Sequence, residues 1–187
     1  MYLDKVYHIV NNSITQELCS NIISQGESKE LKTGEILDGK QFNRSSKVSW
    51  IENRHLELQL IESVKLANKK AGWNFSLADF EPFQYTVYNK DDFYNWHIDS
   101  LSEPYDNGYI RKLSFTLSLN DNYEGGAFDI TVPNPKEDDN EKYTIDLRGF
   151  KPGTLLVFPS FMWHRVNKVR KGTRKVLVGW TLGKQWS

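Results

Sequence analysis

Two histidines and one aspartate have residue types and a spacing that could bind a metal ion. His97 and Asp99 are separated by a single residue. On an extended strand, residues two apart point to the same face, so this imidazole and this carboxylate would project side by side. His164 follows in a second stretch with the composition of a strand, residues 158–164. An isolated His-x-Asp is common and is usually only a polar pair on a strand, so the distal histidine is needed to complete the hypothesis.

Arg174 is the fourth candidate, because it lies ten residues after His164 and directly after a turn-like Lys-Gly-Thr. Two histidines and one carboxylate that leave positions open on the metal form the facial triad of non-haem Fe(II) oxygenases. The same donors would also hold Mn, Co, Ni or Zn, so the residues alone do not identify the metal. Basic residues are frequent around Arg174, and a surface arginine on a strand is the alternative interpretation.

The segments around these residues resemble a known family. They read Glu-Gly-Gly-Ala-Phe at 124–128 and Pro-Gly-Thr-Leu-Leu-Val-Phe-Pro at 152–159. With the candidate ligands, the stretch from about residue 84 to 182 resembles the 2-oxoglutarate/Fe(II) dioxygenase superfamily, in particular its prolyl 4-hydroxylase-like branch. Arg44, Ser45, Ser46 and Trp50 resemble, more weakly, an N-terminal segment of that branch that runs near the active-site entrance.

The resemblance implies a role for each candidate. His97, Asp99 and His164 match the three iron ligands, and Arg174 stands where the family has the basic anchor for the distal carboxylate of 2-oxoglutarate. A guanidinium suits that role because its planar fork meets both carboxylate oxygens. The implied cofactors are Fe(II), 2-oxoglutarate as cosubstrate and O2, with ascorbate as a reductant.

The resemblance also implies a lining for the cosubstrate. Ser114, Thr116 and Ser118 alternate along one predicted strand and form a polar face. One of their hydroxyls would bind the distal carboxylate; which one stays open, because the family often has a tyrosine where Ser118 stands. Tyr88 resembles the tyrosine that borders the cosubstrate. Trp180 shares its strand parity with the arginine anchor and is interpreted either as a wall of the same pocket or as a core tryptophan.

The N-terminal part of the chain must support these strands. A helix is predicted from a Ser13 capping box to Gly26, and a second helix over 54–71, with Asn53 as its cap. Short strands are predicted at 6–10, 33–37 and 47–51.

From residue 82 onward, strands and turns continue to the end, with an exposed acidic loop over 133–142. The expected fold is mainly β with flanking helices. The resemblance specifies it as a double-stranded β-helix, or jelly roll, with the N-terminal helices packed on one sheet. We expect one domain over 1–187, in which residues 1–81 support a catalytic core at 82–187.

Composition limits the partners. Lys and Arg together number 24, as do Asp and Glu, so a general attraction to nucleic acid is not indicated. The single cysteine, Cys19, fits a reducing compartment, and neither a signal peptide nor a membrane-spanning segment is predicted. We therefore expect a cytoplasmic monomer or weak dimer that does not bind membranes.

The function implied by the resemblance is Fe(II)- and 2-oxoglutarate-dependent hydroxylation of an unactivated C–H bond. The predicted substrate is a proline in a peptide or protein. Hydroxylation of a free amino acid or another small molecule is the alternative enzyme. The alternative of another class is a non-catalytic jelly-roll module that only binds metal.

Overall fold

The computed structural model describes residues 5–34, 43–100, 103–131 and 142–185. Two α-helices, α1 (Gln16–Glu27) and α2 (Arg54–Lys70), lie in the N-terminal part, and a short 3-10 helix spans Leu147–Gly149. The strands are β1 (His8–Val10), β2 (Lys32–Thr33), β3 (Arg44–Ser45), β4 (Lys47–Ile51), β5 (Asp79–Phe80), β6 (Phe83–Tyr88), β7 (Phe93–His97), β8 (Tyr109–Ser118), β9 (Tyr123–Gly125), β10 (Phe128–Thr131), β11 (Lys142–Ile145), β12 (Leu155–Pro159), β13 (Trp163–Val166), β14 (Val169–Gly172) and β15 (Arg174–Lys184).

The strands form a large and a small antiparallel sheet. The large sheet has the order β1-β12-β8-β15-β6-β4-β2, with β5 also paired to β15. The small sheet has the order β11-β10-β13-β7-β3, and β9 and β14 form a separate pair. Strands distant in sequence are therefore neighbours in space, which brings the end of β7 next to β13. The predicted mainly β class with flanking helices is confirmed, and the two-sheet architecture is that of a double-stranded β-helix.

Two hydrophobic cores hold these layers together. In the first core, α1 and α2 pack on one face of the large sheet, with Leu60 and Val64 of α2 buried with Phe115 and Leu117 of β8. The second core lies between the sheets. Its members come from the large sheet (Tyr88, Leu156, Phe158, Val176) and from the small sheet (Phe128, Ile130, Val166). The two cores explain why apolar and polar side chains alternate along β8. Its apolar face meets the helices, while Thr116 points between the sheets.

The first helix differs from the sequence prediction at both ends, whereas the second agrees with it. The second helix is as predicted, because the Asn53 side chain accepts a hydrogen bond from the Leu56 N–H and caps α2. The first helix begins later than predicted: Thr15 is its N-cap, and the Ser13 hydroxyl donates to the Val10 carbonyl instead.

The predicted end of α1 at Gly26 is wrong, since the helix continues to Glu27. Gly26 lies inside the helix. Glycine is needed at this position because a Cβ there would stand 2.3 Å from the Tyr85 ring. Two other predicted segments fall largely outside the described residues: 35–37 of the strand at 33–37, and 133–141 of the acidic loop. Within the described part of the chain, neither helix combines the length and apolarity needed to cross a membrane.

We predict that Gly26→Ala destabilises the fold. Alanine normally gains about 0.5–1 kcal/mol over glycine within a helix. Here its methyl group would collide with Tyr85, which is fully buried, so a net loss of about 1–3 kcal/mol is expected. Denaturant unfolding measures the difference. Gly149→Ala is the control, because a Cβ at Gly149 would meet no atom within 4 Å; equal unfolding free energies for the two variants would contradict the packing argument.

Candidate active site

The three predicted metal ligands meet at the open end of the small sheet. His97 is the last residue of β7 and pairs with His164 in β13, and their ring centroids lie 4.0 Å apart. Asp99 follows two residues after β7, with Oδ1 3.8 Å from His97 Nε2 and Oδ2 3.5 Å from His164 Nε2. One ligand atom from each residue lies within 4.8 Å of the other two. The three side chains therefore converge on a volume that fits a single ion.

Both imidazoles are oriented by the main chain. His97 Nδ1 lies 2.7 Å from the Asn95 carbonyl oxygen, and His164 Nδ1 lies 2.9 Å from the Met162 carbonyl oxygen. A carbonyl oxygen only accepts hydrogen bonds, so each Nδ1 carries the proton. Each Nε2 is then left with a free lone pair directed toward Asp99, which is the tautomer that a metal requires.

Asp99 is fixed through its backbone and its carboxylate. Its N–H donates to the Ser160 carbonyl at 2.9 Å, and Arg111 Nη1 donates to the Asp99 carbonyl at 3.3 Å. The Ser114 hydroxyl hydrogen-bonds the Asp99 carboxyl group and is itself 2.9 Å from the Ser160 hydroxyl. The turn between β12 and β13 therefore holds the aspartate in place beside His164.

Electrostatics keep His97 and Asp99 in their metal-binding forms. Burial, and then the neighbouring His164, lower the pKa of the His97 imidazole to about 3. Burial alone would raise the pKa of the Asp99 carboxyl, but the surrounding imidazoles and the Arg111 guanidinium outweigh it and lower that pKa to about 2. At neutral pH the His97 imidazole is therefore neutral and the Asp99 carboxylate is ionised.

Aromatic rings surround the histidines. The Tyr94 ring stacks on His97 with centroids 3.5 Å apart, and Phe158 lies 4.7 Å from the His164 ring centroid. Trp96 and Trp163 line the adjoining cavity. These rings displace water from the candidate centre and strengthen the interactions of charged groups within it.

A cavity of about 740 Å³ connects the histidines with Arg174. Arg174 is the first residue of β15, is 1% exposed, and pairs across the sheet with Tyr88, whose ring centroid lies 5.3 Å from the guanidinium carbon. Its Nε and Nη2 atoms are buried and have no hydrogen-bond partner among the described residues. A buried cation with unmatched donors is costly, so this end of the cavity is suited to an anionic ligand.

The three hydroxyl groups on the polar face of β8 have different surroundings. Thr116 lines the cavity, and within the described part of the chain its buried Oγ1 has no hydrogen-bond partner. Ser118 donates to the Asn120 carbonyl, and Ser114 is bonded to Ser160 and Asp99, so neither hydroxyl is free for the cosubstrate. Trp180 lines the cavity, and its buried Nε1 likewise has no partner in the described ranges.

Sequence reasoning missed the cavity residue Arg111, which lies over Trp180 with its guanidinium carbon 4.1 Å from the ring centroid. Its partner is Glu81, which accepts from Nε at 2.7 Å and from Nη2 at 2.6 Å. The register of β8 against β15 shifts by one residue near Lys112, which changes the alternation of side chains. A simple period of two therefore could not place Arg111 on the same side as Thr116.

The described residues fit the groups that the family implies. Two imidazoles and one carboxylate suit Fe(II). The unmatched guanidinium donors and the unmatched Thr116 hydroxyl suit the distal carboxylate of 2-oxoglutarate. Arg174, Thr116 and Tyr88 all border the same cavity as the histidines, so one dicarboxylate could approach both ends.

Comparison with known proteins agrees with this site. The sequence profile of the 2OG-Fe(II) oxygenase superfamily matches residues 83–182. A PKHD-type hydroxylase of Prochlorococcus marinus (strain MIT 9301) is 33% identical over 147 residues, which cover 75% of this chain and 56% of that protein. The chain thus spans a little over half the length of that relative.

Solved structures agree in fold. A prolyl-4-hydroxylase of Pseudomonas putida superimposes with a TM-score of 0.70 at 18% identity, covering 98% of this chain and 95% of that one. A prolyl hydroxylase in complex with a hypoxia inducible factor oxygen degradation domain peptide fragment, from Trichoplax adhaerens, gives 0.70 at 21% identity, covering 95% of this chain and 84% of that one. The jelly-roll fold predicted from sequence is confirmed. Because the family profile covers more than half of the chain, including every candidate metal ligand, the chain belongs to the 2OG-Fe(II) oxygenase superfamily.

Proposed function

We propose that this chain is an Fe(II)- and 2-oxoglutarate-dependent dioxygenase that hydroxylates an unactivated C–H bond, with a peptidyl proline as the first candidate substrate. One observation carries the proposal: three metal-binding side chains and a buried guanidinium with unmatched donors border the same cavity. A site that only binds metal needs no such guanidinium, which argues against a non-catalytic module.

His97, Asp99 and His164 are proposed to hold the iron through Nε2, a carboxylate oxygen and Nε2. Bound Fe(II), together with the oxidation of 2-oxoglutarate to succinate and CO2, supplies the activation of O2 that C–H hydroxylation requires. The protein contributes orientation, because both imidazoles and the aspartate are fixed by main-chain hydrogen bonds before any ligand binds. Ascorbate is proposed as the reductant that maintains Fe(II).

Arg174 is proposed to grip the distal carboxylate of 2-oxoglutarate, with the Thr116 hydroxyl donating a further hydrogen bond. Tyr88 closes the side of this subsite, because it is buried opposite Arg174 in the sheet. The arrangement fixes one end of the cosubstrate, so its keto acid end is directed along the cavity toward the histidines. The aromatic walls exclude water during the reaction.

The prime substrate is proposed to enter past Trp50. This side chain is 47% exposed, lines the cavity, and lies 6.2 Å from Trp180 between ring centroids. Extended proline-containing segments bind to aromatic-lined grooves because their polyproline II shape is already formed. A free amino acid is the second candidate, since a cavity of about 740 Å³ also suits a small molecule.

We predict that Asp99→Ala lowers Fe(II) affinity by at least ~100-fold, because changes in groups that only support metal ligands already cost 10–100-fold. Anaerobic titration with Fe(II), or with Co(II) as a spectroscopic probe, measures the affinity. His55→Ala is the control, since His55 is exposed on α2. Retention of normal Fe(II) affinity and succinate release by Asp99→Ala would rule out the ligand assignment.

We predict that Arg174→Met raises the 2-oxoglutarate concentration needed for half-maximal succinate release by roughly 10–100-fold, because a charge-assisted pair is removed. Methionine keeps the length and apolar stem, so Fe(II) affinity should not change. Unfolding of the ligand-free protein should not become easier, since the variant removes a buried charge with unmatched donors. In Arg170→Met, an exposed control, 2-oxoglutarate should bind as in the unaltered chain. Parallel loss of Fe(II) and 2-oxoglutarate binding in Arg174→Met would instead indicate collapse of β15.

We predict that proline-rich peptides stimulate succinate release in the presence of Fe(II), 2-oxoglutarate and ascorbate, and that the peptide gains one oxygen atom by mass spectrometry. Free proline and other amino acids, tested in parallel, examine the second candidate substrate class. If neither class is oxidised and 2-oxoglutarate is not consumed, the enzymatic proposal is wrong and a metal-binding module is favoured.

A further inference from the structure

In the described lining of the cavity, cationic side chains outnumber carboxylates. Among the described lining residues, Lys32, Arg44, Arg111 and Arg174 are cationic, while Asp99 is the one carboxylate. Burying unbalanced charge of one sign is costly, so each of these cations needs either a partner or contact with water.

Most of this charge is balanced if the proposed function holds, and the inference rests on it. Arg111 is neutralised by Glu81 through two hydrogen bonds. Arg174 would be neutralised by the distal carboxylate of 2-oxoglutarate. Asp99 and the other carboxylate of the cosubstrate would together neutralise Fe(II). Lys32 is exposed and therefore solvated. Arg44 is then the half-buried cation of the described lining that pairs with no carboxylate of the described ranges.

Arg44 is held firmly by neutral groups. Its Nε donates to the Ser46 hydroxyl at 2.7 Å, and its Nη2 donates to Gln84 Oε1 at 2.7 Å. Neither acceptor carries charge, and Arg44 forms no ion pair with any residue in the described ranges. The side chain is thus fixed in orientation, and no carboxylate of the described ranges pairs with its guanidinium.

The position of Arg44 relates this charge to the reacting centre. Its guanidinium carbon lies 4.6 Å from the centroid of the Tyr94 ring, whose other neighbour is the stacked imidazole of His97 at 3.5 Å. Arg44 therefore lies one aromatic ring away from a proposed iron ligand. A group bound by Arg44 would be close to the carbon that is oxidised.

We propose that the prime substrate carries a carboxylate near the carbon that is hydroxylated, and that Arg44 recognises this carboxylate. A fixed guanidinium binds a carboxylate with two parallel N–H donors and discriminates against a neutral amide of the same shape. Two sources would provide this chemistry: the terminal carboxylate of an amino acid or peptide, and the side chain of an acidic residue next to the target. Arg44 would be a specificity-determining residue in both cases.

Matched pairs of small probes test the proposal. N-acetyl-L-proline and its amide differ only in a terminal carboxylate, and N-acetyl-glutamyl-prolinamide and N-acetyl-glutaminyl-prolinamide differ only in a side-chain carboxylate. Binding is measured by calorimetry on the protein loaded with Mn(II) and 2-oxoglutarate, which permits binding without turnover. At least one carboxylate probe should bind roughly tenfold more tightly than its neutral twin. The pair that shows this difference identifies the source.

Variants attribute the preference to Arg44. Arg44→Gln should abolish the difference between twins, and Arg44→Lys should retain part of it because the charge remains. Arg54→Gln is the matched control, since Arg54 is exposed on α2 and is not among the residues that line the cavity. Stabilisation of Arg44→Gln by 2-oxoglutarate, which depends on Arg174, verifies that the variant is folded.

Three results would overturn the proposal: equal affinities within both pairs, a preference that persists in Arg44→Gln, or no binding by either carboxylate probe at millimolar concentration. These results are separable from a failure of the proposed function. If the carboxylate preference depends on Arg44 but Fe(II) does not support succinate release, the recognition stands and the hydroxylase proposal falls. If succinate release is normal but the twins bind equally, the hydroxylase proposal stands and the recognition falls.

Discussion

The antiparallel pairing of β7 with β13 is the interaction on which the site depends. It places His97 opposite His164, although 66 residues separate them in the chain. Paired side chains on one face of two antiparallel strands stand about 4.5–5.5 Å apart, which is within the span of two ligands of one ion. A slip of one residue in this register would turn one imidazole to the opposite face of the sheet. The position of the two histidines in the metal centre is therefore a consequence of strand register. The adjoining turn at Ser160 holds the aspartate beside them.

The register of β7 against β13 is maintained by two separate hydrophobic cores. The helices bury the outer face of the large sheet, so the inner face is free to carry polar groups such as Thr116 and Arg174. The second core, between the sheets, includes Phe128, Phe158 and Val176, which all border the cavity. Apolar burial of this kind contributes about 25 cal/mol per Å², and it acts on the same strands that carry the ligands. Stability and ligand geometry are thus supplied by the same side chains.

The sequence predicted the parts that depend on local spacing. His97, Asp99 and His164 were identified from a strand-spaced pair and a distant histidine, and the amphipathic stripe predicted α2 almost to the residue. Prediction from the sequence failed where a contact between residues distant in the chain determines the structure. Gly26 looks like a helix end, but glycine is needed there because the Tyr85 ring, which is far along the chain, leaves no space for a side chain.

The hydroxyls of β8 illustrate the same limit. Ser114, Thr116 and Ser118 are equivalent by alternation, yet the hydroxyls of Ser114 and Ser118 bond different partners, and that of Thr116 bonds none among the described residues. The strand pattern can state that one face is polar, but it cannot state which hydroxyl is already bonded. Arg111 was missed for a related reason, because the register shift near Lys112 breaks the alternation that sequence reasoning assumes.

The buried polar atoms that line the cavity affect the stability of the ligand-free protein. Arg174 and Thr116 have buried polar atoms that no described residue hydrogen-bonds, and each such atom costs about 1–3 kcal/mol in the folded state. The surrounding sheet must supply this free energy through packing, and a ligand that satisfies these atoms recovers it. The ligand-free protein is therefore less stable than its packing alone would allow, and binding of a dicarboxylate should be coupled to a gain in folding stability. The sheet fixes these donors before the ligand arrives, so binding requires little further loss of side-chain freedom.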